Sequence, residues 1–160
     1  MFRQWRFSRS SANELLTSAL HSETTFYCTF QRDLKHATHD VIIESPFIAC
    51  KRTDTLLPIF RGLTRKGVRV RINTRNPRHH DRELQIQAWQ SIKQLRVAGV
   101  RVKFYDDMRH RKLAVIDKTI LWEGSLNILS QSYSKEVMRR TVSTELANQM
   151  IKFTRITNWR

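Results

Sequence analysis

The 160-residue chain contains no run of about 18 apolar residues, so no segment reads as a membrane-spanning helix. Cysteine is scarce: Cys28 and Cys50 form neither a CxxC pair nor a Cys/His zinc spacing, which argues for reduced thiols in a reducing, cytoplasmic compartment and against a disulfide framework. His79 and His80 beside Asp81, and His36 with His39, hint at metal, but no other liganding residues complete either set and a structural zinc is not expected. No internal repeat appears at periods of roughly 20 to 50 residues, which excludes a solenoid. The start, MFRQWRFSRSSAN, has the arginines and serines of a transit peptide but lacks the apolar core of a secretory signal, so export is not expected. Acids are few. The 14 Asp plus Glu against 29 Lys plus Arg leave a net charge of +15, which favours polyanionic partners, nucleic acid or anionic lipid, over acidic proteins and neutral metabolites.

The length suits one domain with one sizeable core, read here as a single domain over 1–160 with a basic N-terminal segment and helix over 1–25 and a core over 30–153. In that first segment Phe2, Trp5 and Phe7 interleave with Arg3, Arg6 and Arg9, a pattern that fits a lipid surface, base stacking or simple docking on the core. Cap-type residues followed by Leu15, Leu16, Ala19 and Leu20 predict a helix over 11–23. Helix continues over 30–38, and the β-branched run VIIESPFIA predicts a buried strand over 41–49. Leu56, Leu57, Ile59, Phe60 and Leu63 predict a helix over 53–66 closed by Gly67, and Val68, Val70 and Ile72 alternate with arginines as a strand over 68–74. Leu84, Ala88, Ile92 and Leu95 place a long helix over 81–98 closed by Gly99, and VRVKFY repeats the strand pattern. This β-α-β-α-β alternation predicts an α/β fold with a mixed, largely parallel β-sheet flanked by helices on both faces, and sites at the carboxyl ends of its strands. LAVID and KTILWEGS predict two short adjacent strands, and residues 143–153 a closing helix.

The stretch HRKLAVIDKTILWEGSLN frames an apolar run with polar groups that an ordinary buried strand does not need. His110, Lys112, Asp117, Gly124, Ser125 and Asn127 give H-x-K-x4-D-x6-G-S-x-N. In a strand His110 and Lys112 point the same way, and the Gly-Ser turn of the next strand brings Ser125 and Asn127 beside them. Such a cluster suits a phosphate: Lys112 offsets charge, Ser125 and Asn127 donate to non-bridging oxygens, and a neutral His110 imidazole can attack phosphorus.

The pattern resembles the HKD signature of the phospholipase D superfamily. The resemblance covers roughly 30–153 and is closest to the single-motif nuclease branch. It implies a metal-independent phosphodiesterase with no cofactor, acting through a phosphohistidine at His110. It places Glu136 as a carboxylate that fixes the histidine ring, and Asp117 and Gly124 as structural members of the motif. An in-line displacement also needs a proton donor opposite the nucleophile, and no second His-x-Lys exists here, so the resemblance implies a homodimer that pairs two copies of His110. EGSLNILS followed by KEVMRR is similar to phospholipase D-like domains attached to DNA helicases or ATPases, which implies a helicase or ATPase partner.

Arg69, Arg71, Arg75 and Arg78 precede the single acid Asp81, and Arg109 and Arg111 flank His110; these six form the expected nucleic-acid-binding set. Nonspecific hydrolysis of DNA or RNA, with single strands favoured, follows from charge that carries no sequence preference. A lipid phosphodiesterase and a non-catalytic nucleic-acid-binding domain remain open at this point.

Overall fold

A computed structural model describes residues 17–158. Its elements are β1 (Ser18–Ser22), α1 (Phe26–Lys35), β2 (Asp40–Glu44), α2 (Cys50–Arg65), β3 (Arg69–Arg75), α3 (Arg82–Val97), β4 (Arg101–Tyr105), β5 (Leu113–Ile116), β6 (Ile120–Gly124), β7 (Val137–Val142) and α4 (Thr144–Thr154), with a short 3-10 turn at Pro77–His79. The strands form one seven-stranded sheet in the order β1-β7-β6-β5-β2-β3-β4. β2, β3 and β4 pair in parallel, and every other pairing is antiparallel.

The side-chain alternation of the strands divides the interior into two layers. Val41, Ile43, Ala114 and Ile116 face α1, α2 and α3, while Ile42, Leu113 and Val115 face α4 with Leu121, Ala147 and Ile156. Because both faces of β2 and β5 are covered, their sequences read as continuous apolar runs rather than as alternating ones. The predicted helix stripes are the buried ones, with Leu56, Phe60 and Leu63 on α2 and Ala88, Ile92 and Leu95 on α3. Both helices end as the sequence predicts, at Gly67 and Gly99 with φ of +83° and +84°. Trp122 packs edge-on against Phe26 and Phe30, and its indole N–H donates to the buried Asp33 carboxylate at 2.9 Å. Arg140 on β7 completes that carboxylate with two hydrogen bonds of 2.7 and 2.9 Å, so the charge taken into the core is paired.

Two expectations need correction, and one strand has no counterpart in the sequence reading. The helix over 11–23 is a strand where it is described: β1 pairs antiparallel with β7, Ser22 opposite Val137, and Leu20 is 62% exposed, so the apolar stripe covers nothing there. Backbone pairing along the edge of β7 supplies what helix propensity would otherwise provide. The remainder of that helix and the aromatic-basic segment with Phe2, Trp5 and Phe7 lie outside the described residues. Residues 41–49 are not one strand, because β2 stops at Glu44, before the Ser45-Pro46 bend. β7 itself was not predicted, since VMRRTV carries two arginines and little apolar surface. Among the described residues no helix is long and apolar enough to cross a membrane.

Candidate active site

Strand direction gathers the motif. β5 runs antiparallel to β2, with Leu113 opposite Glu44, so the residues leading into β5 arrive where β2 ends. β6 returns with Glu123 opposite Leu113, and β7 begins with Met138 opposite Gly124. His110, Lys112, Gly124, Ser125 and Glu136 therefore share one edge of the sheet, beside the carboxyl ends of the parallel strands. Gly124 is required by this geometry. A Cβ there would lie 2.1 Å from the Val137 carbonyl oxygen and 2.9 Å from the Met138 Cα.

His110 and Lys112 lie in the extended lead-in to β5, not within a strand, yet their side chains meet. The Lys112 ammonium donates to the His110 carbonyl oxygen at 2.7 Å and contacts the ring Nδ1. Burial holds Lys112 below the usual lysine pKa, and the nearby Glu136 carboxylate opposes that shift. The His110 pKa is also lowered, by burial first and then by the charges of Lys112 and Arg75, so the imidazole is neutral at pH 7. Neutrality is the state a nucleophilic histidine needs.

The other motif positions divide by what they touch. The Ser125 hydroxyl accepts from the Val137 amide at 3.1 Å, and the Ser125 amide donates to the Val137 carbonyl at 2.9 Å, so Ser125 ties the 125–131 loop to β7. That loop is further held by Tyr27, whose hydroxyl donates to the Ile128 carbonyl at 2.8 Å, and by Arg52, which donates to the Gln131 carbonyl at 2.8 Å. Asn127 sits in it with a buried side-chain oxygen that has no hydrogen-bond partner among the described residues. Glu136 accepts from the Ser134 hydroxyl at 2.7 Å and faces Lys112; no hydrogen bond joins it to His110. Asp117 lies apart from these residues. It lies in the β5–β6 turn at φ +51°, at the far end of the sheet, where its carboxylate accepts from the amides of Thr38, His39 and Asp40 at 2.8 Å each.

The predicted basic set does not form one patch. Arg69 and Arg71 lie toward the opposite end of β3, and Arg71 pairs with Asp40 at 2.6 Å. Arg109 pairs with Asp107 at 2.6 Å and Arg111 with the fully buried Glu44 at 2.7 Å, so both charges are matched within the chain. Arg78 is exposed on the 3-10 turn at the site's rim, and Arg75 closes β3 at the motif edge. The sequence reading overlooked Glu44, which anchors the arginines flanking His110, and Phe47, whose ring lies 5.8 Å from that of His110 and 5.1 Å from that of His80. The run ESPF, an acid and an aromatic around a strand-ending proline, was the available signal. His79 pairs with Asp106 at 3.1 Å, and among the described residues no group of three or more His, Cys, Asp or Glu side chains is placed to hold a metal ion.

At one edge of this mixed α/β sheet the chain presents a histidine, a buried lysine and the Gly124-Ser125 turn. Residues 30–157 match the family model described as "Cardiolipin synthase, PLD-like domain", and the chain belongs to this family of phospholipase D-like domains. Among solved structures it is similar to Nuc, a phospholipase D family member from Salmonella typhimurium, with TM-score 0.65 and 14% identity over 85% of this chain and 91% of that one. NucT from Helicobacter pylori gives TM-score 0.66 and 16% identity, over 85% of this chain and 91% of that one. Polyphosphate kinase from Porphyromonas gingivalis gives TM-score 0.69 and 13% identity, over 90% of this chain and 26% of that one. These likenesses establish the fold. No curated protein sequence matches the chain significantly.

Proposed function

We propose that this chain is a phosphodiesterase that cleaves nucleic acid through a phosphohistidine at His110. The observation that carries the reading is the meeting of His110 and the buried Lys112 at one edge, with the Lys112 ammonium against the His110 carbonyl and ring and the Glu136 charge reaching Lys112. In the first step the neutral imidazole attacks phosphorus, a P–N bond forms as one P–O ester bond breaks, and the leaving oxygen takes a proton from an acid on the opposite side. In the second, water attacks phosphorus and gives its proton to that same group, and the P–N bond breaks to leave a phosphomonoester and free His110. Lys112 has three N–H donors, of which His110 engages its carbonyl and ring, so a donor is left for a non-bridging oxygen.

The acid is assigned to His110 of a second copy. The chain has one His-x-Lys, and the motif edge carries exposed apolar side chains, Met108 at 74% and Val137 at 50%, suited to cover by a partner protomer. Nucleic acid is the assigned substrate because of the net charge of +15. The test is cleavage of labelled single- and double-stranded DNA and RNA in excess EDTA, with His110→Ala alongside. Cleavage that resists EDTA and is lost in the variant is expected; a variant that cleaves like the native chain rejects the mechanism.

A second reading takes the same exposed Met108 and Val137, with Tyr133 at 88%, as contacts for acyl chains, in keeping with the synthase named in the family model. It requires hydrolysis or transfer on anionic phospholipid vesicles with nucleic acid left intact.

A further inference from the structure

Arg75 ends β3 at the motif edge and is only 9% exposed, yet no carboxylate among the described residues pairs with it. Four other arginines drawn into this fold are matched by carboxylates, Arg71 by Asp40, Arg109 by Asp107, Arg111 by Glu44 and Arg140 by Asp33, and Arg52 is held by the Gln131 carbonyl and the Tyr27 ring. Arg75 has weak neighbours only. Its Nη2 lies 3.5 Å from the Met108 sulfur, its Cζ lies 5.5 Å from the centre of the Phe47 ring, and its Nε is buried with no hydrogen-bond partner. A thioether and an aromatic face are poor compensation for a guanidinium removed from water, which presents five N–H donors. Lys112, also 9% exposed, is hydrogen-bonded among the described residues to His110 alone, with the Glu136 carboxylate nearby but not bonded to it.

These two unmatched cations belong to one place. Phe47 is in contact with both the Arg75 guanidinium and the His110 ring, and Met108 precedes His110 by two residues. The Arg75 charge also reaches His110, where it contributes to the lowered pKa. Two buried cations beside a histidine, neither of them hydrogen-bonded to a carboxylate among the described residues, form a site suited to an anion.

We propose that Arg75 is a catalytic residue: its guanidinium binds the non-bridging oxygens of the scissile phosphate, on the side opposite Lys112. The assignment rests on the reading of His110 as the nucleophile, and it moves Arg75 from general backbone binding to the reacting group itself. The planar fork matches two phosphate oxygens, and its pull strengthens as they gain charge in the transition state. The ligand class is a phosphodiester, with inorganic phosphate as its minimal mimic.

The test uses the full chain and its Arg75→Gln, Arg75→Lys and Arg65→Ala variants. Turnover of bis(p-nitrophenyl) phosphate, a diester with no polymer backbone, is measured alongside binding of inorganic phosphate by calorimetry and thermal melting. Arg75→Gln is expected to lower kcat on the small diester about 100-fold and to weaken phosphate binding at least about tenfold. Its melting temperature should hold or rise, because an unmatched buried charge has been removed. Arg75→Lys should recover part of both losses, and Arg65→Ala, on the exposed last turn of α2, should leave the small diester unaffected. Phosphate binding and turnover in Arg75→Gln within about twofold of the native chain overturn the proposal, as does loss of both with a lowered melting temperature that Arg75→Lys does not restore. Should His110→Ala retain turnover, the nucleophile assignment fails, while the phosphate-binding comparison still decides whether Arg75 holds the anion.

Discussion

The Lys112 ammonium rests against the carbonyl and ring of His110, and neither residue has a carboxylate within hydrogen-bond reach. Replacing lysine by methionine keeps most of the packing and removes the charge. Lys112→Met is expected to lower kcat by about 100- to 1,000-fold, the loss typical of one preorganised donor to a developing anion. It should also raise the His110 pKa toward its ordinary value of 6.5, because one of the charges that disfavours the imidazolium is gone. NMR titration of the His110 ring measures this directly. In the native chain the nucleophile must be neutral, so the acidic limb of kcat/KM should fall below pH 6.5. An acidic limb above that value contradicts the assignment.

Gly124 is defined by its neighbour on β7. Gly124→Ala places a methyl group against the Val137 carbonyl, where backbone must move to make room. The expected cost is about 1–3 kcal/mol, the range for overpacking, with activity reduced more than stability because Ser125 and Asn127 follow directly. Denaturant unfolding and kcat on a small diester measure the two effects. A variant with native melting and native turnover would show that β7 can shift freely.

How far the sequence discloses this molecule depends on whether a signal is local. The crossover units β2-α2-β3-α3-β4 are legible because each element buries its own periodic stripe, such as Ala88, Ile92 and Leu95 on α3. β1 and β7 are not, because SALHS and VMRRTV are held by pairing with strands distant in sequence and bury little apolar surface. The motif residues are legible as a set because the β5–β6 hairpin brings local neighbours together, and His110 to Asn127 spans a single hairpin. The arginines are not. Arg71, Arg75 and Arg111 look alike in sequence, and only the fold pairs Arg71 with Asp40 and Arg111 with Glu44 while leaving Arg75 unmatched.

Asp117 clamps the chain as it enters β2. Burial alone would raise its carboxyl pKa, but hydrogen bonds from the amides of Asp40, Thr38 and His39 outweigh that and hold it below the usual aspartate value. A carboxyl with a lowered folded pKa adds stability that is complete above its unfolded pKa and is lost as pH falls through the folded one. Asp117→Ala should therefore cost about 2–4 kcal/mol at pH 7, since several amides lose a charged acceptor. The gap between native and variant should narrow as pH drops below the usual aspartate range. Urea unfolding across that range reads both effects, and a pH-independent gap would assign the loss to packing.

The requirement for two copies of His110 makes a prediction that dimerisation alone does not. If each site uses one His110 as nucleophile and the other as acid, a hybrid of native and His110→Ala subunits lacks one of the two and is inactive. Subunits are exchanged by mixing native chain with about a tenfold excess of His110→Ala protein, which leaves few native chains with a native partner. Activity per native chain should then fall by about tenfold, whereas a site complete within one protomer would lose nothing. Light scattering on the same samples establishes that the species mixed are dimers. The variant chosen must not disturb the fold, and the exposed His110 ring meets that need: among the described residues its truncation removes no hydrogen bonds except those with Lys112. Native activity that survives the excess would place the proton donor within the same chain, and His80, whose ring also contacts Phe47, would be the residue to replace next.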